Sequence, residues 1–246
     1  AHEIKNPLNF VNNFSDLSRE LIDDVFIELE GLDHSEIKEE VIAILEDVKS
    51  NLAKVHEHGT RADGIVSSML QHSRASGSKR EAKDFNALVK EFVNLSYHGM
   101  RAGKAPINVK IDLDLGPEVG QVNLISEDFS RVILNLCNNA FDAMRDKLNA
   151  KKETDFLPHL TVQTKKQKSK VILSIKDNGP GIPIEIRDKI LQPFFTTKNV
   201  GEGTGLGLSI SYGIIKEFNG EISVKNNEKG GATFTIHFNQ QEEENG

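Results

Sequence analysis

Asn135-Leu136-Cys137-Asn138-Asn139-Ala140 decides how this chain is read, because it lies in a stretch that is otherwise a good amphipathic helix. Ser126, then Glu127 and Asp128, places a capping hydroxyl ahead of two carboxylates at the positive end of the helix dipole. At about 100° of turn per residue, Phe129, Val132, Ile133, Leu136, Ala140 and Met144 share one apolar face. On the opposite side Asn135, Asn139, Asp142 and Asp146 form a narrow stripe. A face that meets only water is better served by Lys, Glu and Arg, which support a helix more than Asn does. The amides of Asn135, Asn138 and Asn139 therefore point to chemistry: their oxygens are hard ligands for Mg²⁺, and their NH₂ groups donate to phosphate.

Working outward, composition sets limits. A formal net charge of −7 over 246 residues argues against nucleic acid as the main partner. The single cysteine, Cys137, falls on the apolar helix face, so there is no disulfide framework and a reduced, cytoplasmic compartment is expected. No apolar run approaches the ~20 residues of a membrane span, and no signal peptide is evident. His34, His56, His58, His72, His98, His159 and His237 show no ligand-like spacing.

Residues 1–76 carry few Gly or Pro and repeat apolar residues at helical spacing. Ile4, Leu8, Val11, Leu21, Val25 and Leu29 make a first stripe. Gly31, then Asp33 with Glu36 three residues on, reads as a helix stop and a capping-box restart. Val41, Leu45, Val48, Leu52, Val55, Gly59, Ala62, Val66 and Met69 then alternate in a heptad seam. Two such helices make an antiparallel hairpin whose exposed seam asks for a second copy, so a dimeric four-helix bundle is expected. With the turn centred near Leu32, position 2 should face position 62, leaving Val66 and Met69 without partners. That register implies a longer first helix, and hence a chain truncated at its N-terminus.

The chain opens on His2-Glu3-Ile4-Lys5-Asn6-Pro7. Asn6 lies one helical turn from His2 on the same face, and Pro7 should bend the helix there. The zinc motif H-E-x-x-H is excluded, since position 6 is Asn.

The polar run 77–84 reads as a linker, followed by a second domain over 85–240 and an acidic tail, 241–246. The expected elements of that domain are a helix over 86–102, a strand at Val109–Leu113, and the Asn-rich helix. Strands Leu160–Thr164 and Val171–Lys176 follow, joined by a basic turn Lys165–Lys170. A helix over 205–218 and strands Glu221–Asn226 and Ala232–Phe238 complete an α/β sandwich. Strand Val171–Lys176 runs into Asp177-Asn178-Gly179-Pro180-Gly181, a carboxylate at a strand end with glycines that admit a flat ligand. An acceptor-only group suits the exocyclic amine of adenine. Pro193-Phe194-Phe195-Thr196-Thr197-Lys198 leads into Gly201, Gly203, Thr204, Gly205, Leu206 and Gly207, a lid that ends at a helix N-terminus. The two Phe read as an apolar hinge, and Lys198 as a reach toward a terminal phosphate. The run is neither a Walker A loop nor a dinucleotide fingerprint.

Asn135–Ala140, Asp177–Gly181, Pro193–Lys198 and Gly203–Gly207, in this order, resemble the N, G1, F and G2 boxes of sensor histidine kinases, and His2–Pro7 resembles their H box. The resemblance covers nearly the whole chain. It implies an all-α dimeric phosphotransfer hairpin followed by an ATP-binding α/β sandwich of the Bergerat type, shared with Hsp90, gyrase B and MutL. Carried over by position, His2 is the phosphoacceptor, Glu3 its acid/base partner, and Asn6 the residue that orients water for dephosphorylating a response regulator. Asn139 would ligate Mg²⁺, Asn135 would lie beside the phosphates, and Asp177 would read adenine. Asn138, Gly179, Gly181, Lys198, Gly203, Thr204, Gly205, Leu206 and Gly207 would line the ATP site, with Thr233 as an adenine-side hydroxyl. Many members carry Lys three residues after the Mg²⁺ ligand; here it is Asp142, which shifts weight to Lys198.

Three rivals are weighed. An ATPase or chaperone of the same fold would want Glu at position 135 to activate water. A serine-directed kinase would not need the His2 hairpin. A scaffold with a decayed site would not retain the full set of boxes.

Overall fold

The computed structural model describes residues 2–30, 36–74, 79–150, 156–198 and 203–239; the side chains of 2–7, 36, 61, 63–65 and 67–74 are outside that description. The chain divides into two compact units, Ala1–Arg74 with Thr196–Thr204, and Ala75–Phe195 with Gly205–Gly246.

In the first unit, α1 (His2–Glu30) and α2 (Glu36–Arg74) pack as an antiparallel pair. Close approach centres on Gly59, where an added Cβ would lie 2.1 Å from Asn12 Oδ1. His56 Nδ1 lies 3.3 Å from an Asp16 carboxylate oxygen, and Lys49 pairs with Asp23. These pairs put position 2 opposite about position 70, not 62, because the first turn and a half of α2 extends beyond the end of α1. Val66 and Met69 therefore come level with residues of α1, and their seam gives no argument for a longer first helix. The helical assignment also runs unbroken through Pro7.

The expected seam divides between two directions. Leu45, Leu52 and Gly59 turn toward α1, whereas Val41, Val48 and Val55 are exposed. On α1, Ile22 and Ser15 are buried, while Phe10, Phe14, Leu17, Leu21 and Val25 are exposed at four- and three-residue steps. One hairpin thus covers only part of its apolar surface.

The second unit is a five-stranded sheet with helices on one face. Its strands are β2 (Lys110–Leu115), β4 (His159–Gln167), β5 (Lys170–Asp177), β6 (Glu221–Asn226) and β7 (Ala232–Asn239), in the order β2-β4-β5-β7-β6. Only β2 and β4 pair in parallel. A second, two-stranded sheet joins β1 (Glu81–Asp84) to β3 (Gln121–Leu124). Helices α3 (Phe85–Ala102), α4 (Ser126–Ala150) and α5 (Gly207–Glu217) pack side by side over the larger sheet.

The core follows from two periodicities. Along β5 every second residue, Val171, Leu173, Ile175 and then Asp177, is buried. Along α4 Phe129, Val132, Ile133, Leu136, Cys137, Ala140, Phe141 and Met144 meet them. Phe129 joins Phe218 and Phe238, with ring centroids 4.9 and 4.8 Å away. Cys137 is a core residue whose thiol burial pushes up to about 12. No helix among the described residues is long and apolar enough to cross a membrane.

Three local expectations need correction. The end of the polar linker is strand β1, whose four residues are all exposed and so lack the alternation that marks a strand, and Asp84 then caps α3 by accepting from Ala87 N at 3.0 Å. The basic run Lys165–Lys170 is mostly ladder, since Lys165, Lys166 and Gln167 pair with Ile172, Val171 and Lys170, and only Lys168 and Ser169 turn. Ser126 is the first helical residue of α4 rather than its cap, because the Ile125 carbonyl accepts from Phe129 N at 3.2 Å.

Candidate functional site

Four residues of α4 at helical i, i+4 spacing (Asn135, Asn139, Ala143 and Lys147) face the loops that follow β5 and precede α5. At the first, Asn135 Nδ2 donates to Gly207 O at 3.1 Å and to Ser211 Oγ at 3.2 Å. At the third, a Cβ on Gly179 would lie 3.1 Å from Ala143 Cβ. At the fourth, Lys147 Nζ donates to Asn178 O at 2.7 Å and Gly179 O at 3.1 Å. Eight residues of helix put about 12 Å between Asn135 and Ala143. Asn139 sits midway, half-buried, and makes no side-chain hydrogen bond among the described residues.

This stripe differs from the one the sequence suggests. Asp142 is paired with Arg145 at 2.6 Å, Arg145 in turn donates to Ala105 O at 2.8 Å, and Asp146 is exposed. The position where a phosphate-binding Lys was expected is therefore part of a clamp between α4 and the loop after α3. Asn138 is drawn away as well: its Oδ1 accepts from Ser96 Oγ on α3 at 2.8 Å.

At the strand ends lies Asp177, 4% exposed. Its Oδ1 accepts from Gly179 N at 2.8 Å and Ala232 N at 3.2 Å. Its Oδ2 has no donor among the described residues and is not sealed from solvent. Burial raises the carboxyl above its ordinary range, opposed by the backbone N–H groups of Gly179, Ala232 and Asp177 itself and by the nearby Lys147 ammonium. Gly231, at φ 87°, passes so close that a Cβ would sit 2.1 Å from Asp177 O, a position open only to glycine. Asn227 joins the pieces: Nδ2 donates to Asp177 O at 3.0 Å and Oδ1 accepts from Thr233 Oγ1 at 2.6 Å. Thr233 has spent its proton on Asn227, so it offers lone pairs beside Asp177. Asn226 holds Ile182 through both its N–H and C=O, fixing the loop that includes Gly181 at φ 84°.

At the Asn135 end of the α4 stripe, α5 starts at Gly207. The cap residue Leu206 provides no side-chain bond to the first turn. A Cβ on Gly205, at φ 66°, would strike Phe194 C at 2.4 Å, so the two ends of the intervening loop are pinched together. Phe195 packs against the core, in keeping with a hinge. Lys198, Gly203 and Thr204 belong to the first unit. There Lys198 N donates to Thr196 Oγ1 at 3.2 Å, and a Cβ on Gly203 would lie 2.8 Å from the same oxygen. The side chains of His2, Glu3 and Asn6 lie outside the described residues.

The residues that sequence reasoning missed are Lys147, Asn226 and Asn227. Lys147 has a legible signal, the i+4 register with Asn135 and Asn139. Asn226 ends the expected strand Glu221–Asn226 and Asn227 follows it, and neither position carries a sequence signal for its partner.

The donor set fits an adenine nucleotide with a divalent cation. A buried carboxylate keeps one open oxygen, glycines stand where a Cβ would intrude, an amide oxygen lies unengaged midway, and a helix start awaits negative charge. Of these two ligands, comparisons with known proteins bear on the nucleotide alone. Residues 125–242 match the family described as histidine kinase-, DNA gyrase B- and HSP90-like ATPase. Sensor kinase CckA of Brucella abortus is 31% identical over 191 residues, 76% of this chain and 20% of that protein. The signal transduction histidine-protein kinase AtoS of Escherichia coli is 28% identical over 239 residues, 96% of this chain and 33% of that protein. The chain thus spans a fifth to a third of these relatives' length. The solved catalytic domain of histidine kinase ThkA is 28% identical with a TM-score of 0.53, over 66% of this chain and 96% of that domain. ThkA solved with the response regulator TrrA is 25% identical with a TM-score of 0.57, over 98% of this chain and 60% of that one. The second unit has the Bergerat-type fold, and the matched segment implies ATP binding.

Asp177→Asn keeps an oxygen for Gly179 N and Ala232 N but turns an NH₂ toward the ligand. ATP affinity measured by calorimetry should fall at least tenfold, as expected for loss of a charged hydrogen bond. Stability should move the other way. Because burial raises the folded pKa of Asp177, its contribution is fully present below the unfolded pKa and is lost as pH rises through the folded value. The variant should therefore melt higher than the native chain at neutral pH, and the gap should close as pH falls.

Proposed function

We propose that this chain, which belongs with the sensor histidine kinases, transfers the γ-phosphoryl group of ATP to His2 and passes it to an aspartate of a response regulator. The observation that carries the reading is Asp177, a buried carboxylate with one oxygen held by backbone and the other open, at the strand end beside the α4 stripe that carries Asn135 and Asn139.

In this reading Asp177 Oδ2 accepts from the exocyclic amine of adenine, and Thr233 offers a further acceptor beside it. Gly179 and Gly181 let backbone lie against the base. Asn139 would hold Mg²⁺, which when bound draws charge from the phosphates. Asn135 stays with α5, where its donation to Gly207 O fixes the helix start that receives phosphate oxygens, aided by Gly205, Leu206 and Gly207. Gly203, Thr204 and Lys198 belong to the loop assigned to closing over the triphosphate. An Asn engaged in this way is no general base, which disfavours the water-activating ATPase.

Neutral imidazole, with an ordinary pKa near 6.5, is a competent nucleophile at pH 7. One ring nitrogen of His2 bonds to the γ-phosphorus as the bond to the ADP oxygen breaks, and the proton on the other nitrogen passes to Glu3. The P–N bond then breaks as a carboxylate oxygen of the regulator takes the phosphoryl group. The relative solved with a response regulator supports that partner class. Asn6, one turn from His2, is assigned to orienting water in the reverse, regulator-dephosphorylating reaction. The stripe Phe10, Phe14, Leu17, Leu21 and Val25 supports pairing with a second copy.

Incubation with γ-labelled ATP should give acid-labile, alkali-stable label that His2→Gln abolishes; label on a hydroxyl would overturn the reading. Asn6→Ala should keep autophosphorylation while regulator dephosphorylation drops by about a hundredfold, the lower end for a positioned catalytic group. Sedimentation should give twice the chain mass for the native protein and a shift toward the single-chain mass for Leu21→Glu.

A further inference from the structure

The kinase reading gives no task to the one charged residue of the α4 stripe. Lys147 lies two helical turns beyond Asn139, and its ammonium is held from several directions. It donates to the carbonyls of Asn178 and Gly179 and lies 4.5 Å from the centroid of the Phe156 ring. A Cβ on Gly230 would approach Nζ to 3.6 Å. A lysine that only meets water keeps its rotamer freedom, whereas this one gives it up for two charge-assisted bonds to the main chain.

Which main chain it holds decides its meaning. Gly179 N–H is the donor that fixes Asp177 Oδ1, and Gly179 C=O is one of the two acceptors of Lys147. The same residue is gripped at both polar ends, by a carboxylate on the strand and by an ammonium on the helix. With Asn227 holding Asp177 O, the turn after β5 is tied on both sides, and the direction of the open Oδ2 follows from those ties.

We propose that Lys147 is a positioning residue for base selection: by clamping the Asn178 and Gly179 carbonyls it aims Asp177 Oδ2 and makes the site prefer a base that presents an amino group. The proposal rests on the nucleotide reading of the crevice. Lys147 is also the charged side chain that acts on Asp177, whose other neighbours there are the backbone N–H groups of Gly179, Ala232 and Asp177 itself.

Lys147→Met keeps the length of the side chain and removes its charge and donors. In the ligand-free chain, amide hydrogen exchange at residues 178–181 and 230–231 should speed up, with other regions unchanged. The dissociation constant for Mg²⁺-ATP should rise about tenfold, the effect of losing charge-assisted bonds. That for inorganic triphosphate should not move, and the preference for ATP over GTP should narrow. With the cation gone Asp177 takes up its proton more readily, so the loss of ATP affinity on acidification should begin at a higher pH. Lys147→Arg, which can donate to the same carbonyls, should restore most of the affinity. ATP binding by Lys147→Met within twofold of the native chain would overturn the proposal. So would an equal loss for ATP and triphosphate with an unshifted pH profile, the mark of a merely structural lysine. A native chain that binds no adenine nucleotide would instead overturn the nucleotide reading, while exchange at 178–181 would still report whether Lys147 holds the turn.

Discussion

A carboxylate at the fourth inward position of β5 is the constraint from which the nucleotide end of this molecule follows. The alternation that sends Val171, Leu173 and Ile175 into the core sends Asp177 there too. A charge taken out of water is tolerated only when its lone pairs find donors. Gly179 N and Ala232 N supply them, and they reach Oδ1 because the chain at 179 and 231 carries no Cβ. The glycines are thus the condition under which a charged group can end a core strand while one oxygen still faces outward.

Helix α4 acts as a ruler for the rest. Three of the residues four apart on one face meet, in turn, the start of α5 at Gly207 (Asn135), the glycine turn (Ala143) and the carbonyls held by Lys147, with Asn139 half-buried between the first two. The rigid rise of a helix therefore sets the distance between the end suited to phosphate and the end suited to a base. The opposite face, from Phe129 to Met144, is locked into the aromatic and aliphatic core, so the ruler cannot slide.

What the sequence made legible was periodic or compositional. Asn135 and Asn139 stood out because Asn is a poor choice for a solvated helix face, and Asp177 because a carboxylate followed by glycines ends an alternating strand. What escaped depended on partners distant in sequence. Only the folded chain shows that residues 178 and 179 come to Lys147. Asp142 fell in the expected stripe yet went to Arg145, since a local ion pair competes for any side chain that can rotate into it. Strand β1 has no apolar residue to bury apart from Ala82, so its pairing with β3 is written in backbone hydrogen bonds alone. The hairpin register failed for a related reason: stripes specify which face packs, whereas the small residue at Gly59 and the Asp16–His56 and Asp23–Lys49 pairs specify the level at which it packs.

The pinch between Phe194 and Gly205 has a consequence for how such a site diversifies. Where two chain ends are fixed against each other by backbone contact, the number of residues between them is decoupled from the sheet and from α5. Closing a longer span then costs only about 0.6 kcal/mol for each doubling of its length. Insertions or deletions between these anchors are accordingly a cheap evolutionary variable, able to change the length of the loop while the fold beneath inherits none of the change.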